Sequence, residues 1–230
     1  MRESNNPMEF KTELHAHTAE VSPCAGFTAA RVVEKYLEAG FSTLVITDHF
    51  RDYVIEHAGL TWHQKIDHYL AGYRNAVKHA NDQINVLLGI ELQFVGERND
   101  YLIYGITEDF LYSTPDIHKM SLKSLRSILP PTAMIVHAHP FRSGATITDP
   151  ALLDGMEAYN GGTSSTQNAF AEQWAERFDL IPTSGSDYHG GPASRISGGI
   201  VTDEEIVDCT QLTQILRSRA HTLIRKGSCE

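Results

Sequence analysis

Cysteine is scarce in this chain: Cys24, Cys209 and Cys229 are the whole supply in 230 residues. They are odd in number, far apart and outside any CxxC pair. That excludes a disulfide framework and a cysteine metal knuckle, and makes a reducing cytoplasm the simplest compartment. No apolar run approaches the roughly 20 residues that cross a bilayer, so no membrane partner is expected. The opening segment 1–8 carries charges without a following apolar stretch and does not read as a secretory signal. Neither GxGxxG nor a GxxxxGK loop occurs, which removes the phosphate cradles of many nucleotide-binding sheets. Low-complexity tracts, internal repeats and Gly/Ser linkers are missing too. Residues 1–230 are therefore expected to form a single domain, with its core at about 10–225.

Positive charge is also in short supply. Nineteen Lys and Arg face 29 Asp and Glu, a formal charge of −10, which disfavours long nucleic acid as a partner. With 41% hydrophobic and 21% charged residues the chain is not of the disordered class.

Short apolar or β-branched runs at 10–15, 42–48, 86–94, 100–106, 133–139, 155–159, 181–186 and 199–201 read as strands. Several are too apolar to have a solvated face, so most are expected in a buried parallel sheet. Between them, Ala29, Val32, Val33, Tyr36 and Leu37 fall at helical spacing behind Thr28 as N-cap, and Ile66, Tyr69, Leu70, Tyr73 and Val77 repeat the pattern. Segments 166–178 and 204–219 read as helices, and 109–129 as one or two short ones. Alternating strands and helices leave an open doubly wound sheet or a closed barrel. Without phosphate loops, a barrel of about seven or eight strands is favoured.

What is plentiful is histidine, 12 in all, and it gathers with carboxylates at strand ends. The groups are Glu13 to Thr18 with His15 and His17, Thr47-Asp48-His49, Gly89-Ile90-Glu91, His137-Ala138-His139-Pro140 and Gly185 to His189 with Asp187. In a parallel α/β barrel the C-terminal strand ends converge on one face. Residues i and i+2 of an extended chain point the same way, so His15 and His17 can share an ion, as can Asp187 and His189. Asp48 and His49 point apart, and one of them is expected to orient a ligand from behind. His15, His17, His49, Glu91, His139, Asp187 and His189 are seven donors, too many for one catalytic ion and enough for two. Imidazoles with carboxylates suit Zn²⁺, Mn²⁺ or Fe²⁺ better than Mg²⁺ or Ca²⁺. His137 lies one layer deeper, with ligation and a buried outer role both open. His57, His63, His68, His79, His118 and His221 are expected to face solvent.

These motifs, in this order, resemble the PHP family, named after polymerase and histidinol phosphatase, and the likeness runs from His15 to His189. It implies a distorted (β/α)7 barrel with two or three divalent ions (Zn, Mn or Fe) at its mouth, hydrolysing a small phosphomonoester or a nucleotide. The seven donors carry over as ligands, with Glu91 placed to bridge two ions. Where many members have a His or Asp soon after the first HxH, this chain offers Glu20. Where some have a His after the fourth strand, 100–107 has none, which puts a third ion in doubt.

A water between two such ions loses a proton near neutral pH and attacks phosphorus in line. Asp48, Arg142 and Arg195 are the candidate catalytic groups, the arginines as forks for phosphate oxygens, with Arg51 a further option. Tyr159 and Asn160 are expected to border the pocket, Glu157 reads as a carboxylate standing behind the ligands, and Cys24 reads as a small structural residue rather than a nucleophile. Two other readings stay open: a non-catalytic PHP module serving a larger enzyme, and a metal-dependent amidohydrolase on a related barrel.

Overall fold

A computed structural model describes residues 9–226. The 1–8 segment and Cys229 lie outside the described residues. Strand β1 (Phe10–Ala16) leads to helix α1 (Ala29–Glu38), strands β2 (Thr43–Ile46) and β3 (His49–Phe50), and helices α2 (Asp52–Ile55), α3 (Trp62–Tyr69) and α4 (Ala71–Ala80). Then follow β4 (Asn85–Leu88), β5 (Ile90–Gln93), β6 (Asp100–Tyr104), α5 (Glu108–Ser113), α6 (Leu122–Ile128) and β7 (Met134–His137). The chain continues through β8 (Gly155–Asn160), α7 (Ser165–Arg177), β9 (Ile181–Gly185), β10 (Ile200–Thr202), α8 (Cys209–Ser218) and β11 (Thr222–Leu223). No helix among the described residues is long and apolar enough to cross a membrane.

The strands form two sheets, ordered β11-β10-β1-β2-β4 and β3-β5-β6-β7-β8-β9. They meet along two interrupted strands. The parallel pairing of β2 with β4 ends at Ile46↔Leu88 and resumes, without a slip, as His49↔Glu91 between β3 and β5. At the far edge the chain after β9 returns to β1: Ala16 bridges Tyr188 in parallel, and His17 N donates to Tyr188 O at 3.0 Å. Six of the eight expected strand runs pair in parallel along this ladder. The run at 100–106 does not, because β6 is antiparallel to both β5 and β7. The reason is the link 94–99, which is too short for the crossover a parallel strand requires. The run at 199–201 becomes β10, antiparallel to β1.

Leu14, Val45, Leu87, Leu102, Tyr104, Met134 and Val136 pack on one face of the strands with Leu212, Ile215 and Leu216 of α8. Val32, Val33 and Tyr36 of α1 and Ala76 of α4 cover another face. Helical periodicity held with local exceptions. The stripe from Ile66 to Val77 is divided at Leu70 and leaves Val77 exposed, and α8 starts at Cys209 rather than 204 because Asp208 caps it through Gln211 N at 2.8 Å. Thr28 stands at the N-cap of α1 without a side-chain bond.

Glu13 fastens β1 to its neighbours. Wholly buried, its carboxylate accepts from the backbone N–H groups of Leu14, His15 and Ser186 and from Tyr36 Oη, so both of its oxygens are satisfied. β9 approaches β1 so closely that a Cβ on Gly185 would stand 2.4 Å from His15 Cβ and 2.5 Å from Glu157 Oε1. The expected result of Gly185→Ala is therefore a loss of about 1–3 kcal/mol in urea unfolding from overpacking, with an unchanged denaturant slope. A stability equal to that of the unmodified chain would show that β9 has room to retreat.

Candidate metal centre

The parallel strands all end on one face, and the reversed β6 begins there, so seven stretches of backbone meet. The end of β1 brings His15 and His17, β3 His49, β5 Glu91, and the start of β6 Asp100. His139 follows β7, Glu157 lies in β8, and Asp187 and His189 follow β9. His139 and Asp187 have positive φ, 28° and 52°, a left-handed backbone that costs a side-chain-bearing residue free energy and is typical of functional turns.

Three groups of donors lie within 4.8 Å of one another: His15, Glu91 and His139; His15, His17 and Asp187; and His17, His49 and His189. Glu91 is central, with its Oε1 2.8 Å from His139 Nε2 and 3.4 Å from His15 Nε2 and its Oε2 beside His49 Nδ1. Behind them, Glu157 takes His15 Nδ1 at 2.9 Å, His139 N at 2.8 Å and Asn160 Nδ2 at 2.8 Å, which turns His15 Nε2 inward. His189 Nδ1 bonds Asp187 O at 2.8 Å, leaving its other nitrogen free to ligate.

Four donor atoms here, His15 Nε2, His17 Nε2, Glu91 Oε2 and Asp187 Oδ1, are buried without a hydrogen-bond partner among the described residues. They face one another, His17 Nε2 standing 3.2 Å and His15 Nε2 3.5 Å from Asp187 Oδ1, so lone pairs from imidazoles and carboxylates converge where a cation can be shared. The residues thus fit divalent metal ions. The charges agree. Burial raises the Glu91 and Asp187 carboxyls, but His49 and His15 beside Glu91, and His15 and His17 beside Asp187, hold both well below the usual carboxylate range. Burial and the His49 charge keep His17 well below the ordinary imidazole value, as a neutral donor must be. His15 is pushed down by burial yet held well above its ordinary value by Glu157, Asp187 and Glu91.

The seven donors read from the sequence all come together. Glu20 does not join them: both of its oxygens take Ala29 N, at 2.9 and 3.1 Å, in the capping place Thr28 leaves unused. Asp48 stands behind the cluster rather than in it, accepting from Thr18 N at 2.7 Å, Thr18 Oγ1 at 2.6 Å and Ser22 Oγ at 2.7 Å. Burial, offset in part by these bonds, pushes it up to about 6. Of the pair Asp48 and His49, the histidine faces inward. His137 is buried, stacks on Tyr101 at 5.3 Å and is pushed down to about 3 by burial. It belongs to none of the donor groups. His57, His63, His68 and His79 are exposed as expected and His221 half-buried, but His118 is fully buried against Phe50 and Trp62. His118, Asp52 and Glu56 also converge, yet Lys119 and Lys65 already neutralise Glu56 and hold it down to about 2. Cys24 is exposed, and its Sγ lies 3.1 Å from His49 Nε2.

Arg142 bonds Asp187 Oδ2, and Arg51 reaches His49 Nδ1 and Asp100 Oδ1. Arg195 lines a cavity of about 670 Å³ with Asp187, His189, Ser164, Ser197 and Lys226. Sequence reading missed Asp100, whose Oδ2 is 3.8 Å from His139 Nε2, and Lys226. The short link before Asp100 was the signal for the first, since it reverses the strand. Nothing local marks Lys226.

No protein-family model and no curated protein sequence matches the chain. Among solved structures it is similar to a Bifidobacterium adolescentis protein provisionally described as a metal-dependent phosphoesterase, at 17% identity and a TM-score of 0.52, over 89% of this chain and 95% of that one. It is also similar to an amidohydrolase from Chromobacterium violaceum, determined with bound sulfate and no metal, at 16% identity and a TM-score of 0.54, over 93% and 97%. At these identities the likeness is one of fold.

Glu157→Gln keeps the side-chain shape and one acceptor while removing the charge behind His15. It is expected to weaken divalent-metal affinity about 10–100-fold with little change in melting temperature, read by competition with a chromophoric chelator. Unchanged affinity would remove Glu157 from the support of the centre.

Proposed function

We propose that the chain is a metal-dependent phosphoesterase of the PHP kind, a hydrolase built on a distorted (β/α)7 barrel that carries at least two divalent ions, Zn²⁺, Mn²⁺ or Fe²⁺. The observation that carries this reading is the set of buried, unpartnered donors facing one another beside a cavity with two cationic side chains. The continuation of the β2–β4 register into β3 with β5 across the interruption, and the return of β9 to β1, support the barrel. His15, His17, His49, Glu91, His139, Asp187 and His189 hold the ions, with Asp100 adjacent. Bound there, the ions supply Lewis acidity and lower the pKa of water.

The chain's own groups do the rest. Arg142, tied to Asp187 and 3.5 Å from Asn160 Oδ1, presents its guanidinium beside the cluster. Arg195 and Lys226 offset the charge of an entering phosphate, while the low-lying Gly161 and Gly162 let it approach the backbone. Glu157 and Asp48 orient ligands through His15 and Ser22. A small phosphorylated substrate in the cytoplasm is the proposed partner, and the charge of −10 argues against long nucleic acid. An amide substrate is the second reading, carried by the likeness to the Chromobacterium amidohydrolase. The two cations in the cavity favour phosphate.

The test is a hydrolysis screen of phosphomonoesters, nucleotides and simple amides, with Mn²⁺, Zn²⁺ or Fe²⁺ added to chelator-treated protein. The expected result is turnover of a phosphate ester that disappears in a folded His15→Ala variant and loses about 10–100-fold in kcat/KM in Arg142→Ala. Stoichiometric metal uptake with no phosphate ester turned over would favour the non-catalytic module, and turnover confined to amides the second reading.

A further inference from the structure

We infer that Cys24 is itself a metal ligand, completing a three-histidine, one-thiolate site with His17, His49 and His189. The inference rests on the metal-centre reading above and goes beyond its ligand set. Of the three donor groups, two contain a carboxylate, whereas His17, His49 and His189 bring three imidazoles and no anion of their own. Cys24 Sγ lies 3.1 Å from His49 Nε2, one member of this trio. The ring centroids of His17 stand 4.4 Å from His49 and 4.2 Å from His189, and His17 Nε2, wholly buried, has no hydrogen-bond partner.

The loop that carries the cysteine is built for this position. On one side Ser22 Oγ donates to Asp48 and accepts from His49 N at 3.1 Å. On the other Gly26 N donates to His189 O at 2.7 Å. The sulfur is thus suspended between the segments that hold two of the three histidines. In a tetrahedral zinc site, bonds of about 2.3 Å to sulfur and 2.0–2.1 Å to nitrogen put sulfur and nitrogen about 3.6 Å apart, about half an ångström more than the Cys24–His49 separation, and the exposed Cys24 side chain turns toward His17 and His189 to join their group. On binding, the thiol proton passes to solvent and the sulfur lone pair fills the fourth position. A thiolate among imidazoles makes this a soft site that selects Zn²⁺, Co²⁺ or Fe²⁺ over Mn²⁺.

Cobalt titration of the full, metal-stripped chain tests it. The expected result is a sulfur-to-cobalt charge-transfer band in the near ultraviolet that Cys24→Ser abolishes and Cys209→Ser leaves intact, with Cys24→Asp shifting metal preference toward Mn²⁺. X-ray absorption of the zinc-loaded, unmodified chain is expected to show one sulfur neighbour at about 2.3 Å, whatever the folding of the variants. Full metal uptake without the band and without that sulfur, or a band that survives in Cys24→Ser, overturns the inference while the metal-centre reading stands. No uptake of any divalent ion would bring both down.

Discussion

Mutual dependence of buried opposite charges is the constraint on which the rest of this structure turns. Glu91, wholly buried, is surrounded by His15, His49 and His139, and none of these groups could be placed there alone without the cost of an isolated buried charge. The imidazoles hold the carboxylates ionised, the carboxylates draw the imidazoles in, and the surplus of unpaired donor atoms leaves the constellation open to cations. Removing one member exposes the others, so the site behaves as a unit rather than a sum.

The backbone is shaped around this unit. Two strands break, at 47–48 and at Gly89, on the way to His49 and Glu91, and two residues adopt left-handed geometry to turn His139 and Asp187 inward. Thr18, Ser22 and Asp48 form a hydrogen-bonded wall behind His17 and His49, and α4 presses Gly72 against that wall, where a Cβ would lie 2.1 Å from Thr18 Oγ1 and 2.4 Å from Asp48 Oδ2. Local strain and close packing are thus concentrated where the donors need fixed directions. The cavity beside them, of about 670 Å³, leaves room for a ligand.

Much of this was legible in the residues. Apolar runs locate the strands, and periodicity locates α1, because burial demands these patterns whatever the topology. The HxH and Asp-x-His spacings account for His15, His17, Asp187 and His189, because i and i+2 residues share a side, while His49, Glu91 and His139 stand out by their place at strand ends. The misreadings have a common cause. Glu20 is a carboxylate near the ligands in sequence, but the Ala29 N–H lies within easier reach of it than the cluster. Asp100 stays hidden in the sequence because an apolar run carries no sign of its direction, and only an antiparallel β6 brings its first residue to the site. His118 reads as solvent-facing because nothing near it in sequence marks Phe50 and Trp62, the distant rings that cover it.

Local periodicity and residue chemistry set the alternation of strand and helix, the stock of imidazole and carboxylate donors and their placement at strand ends. Tertiary structure alone decided which strand runs backward, which carboxylates turn to the backbone instead of the cluster, that Glu157 orients His15, and that Cys24, Arg195 and Lys226 lie beside residues far from them in sequence. Those outcomes depend on contacts between distant segments, whose distances are set by how the whole chain packs and not by any local pattern.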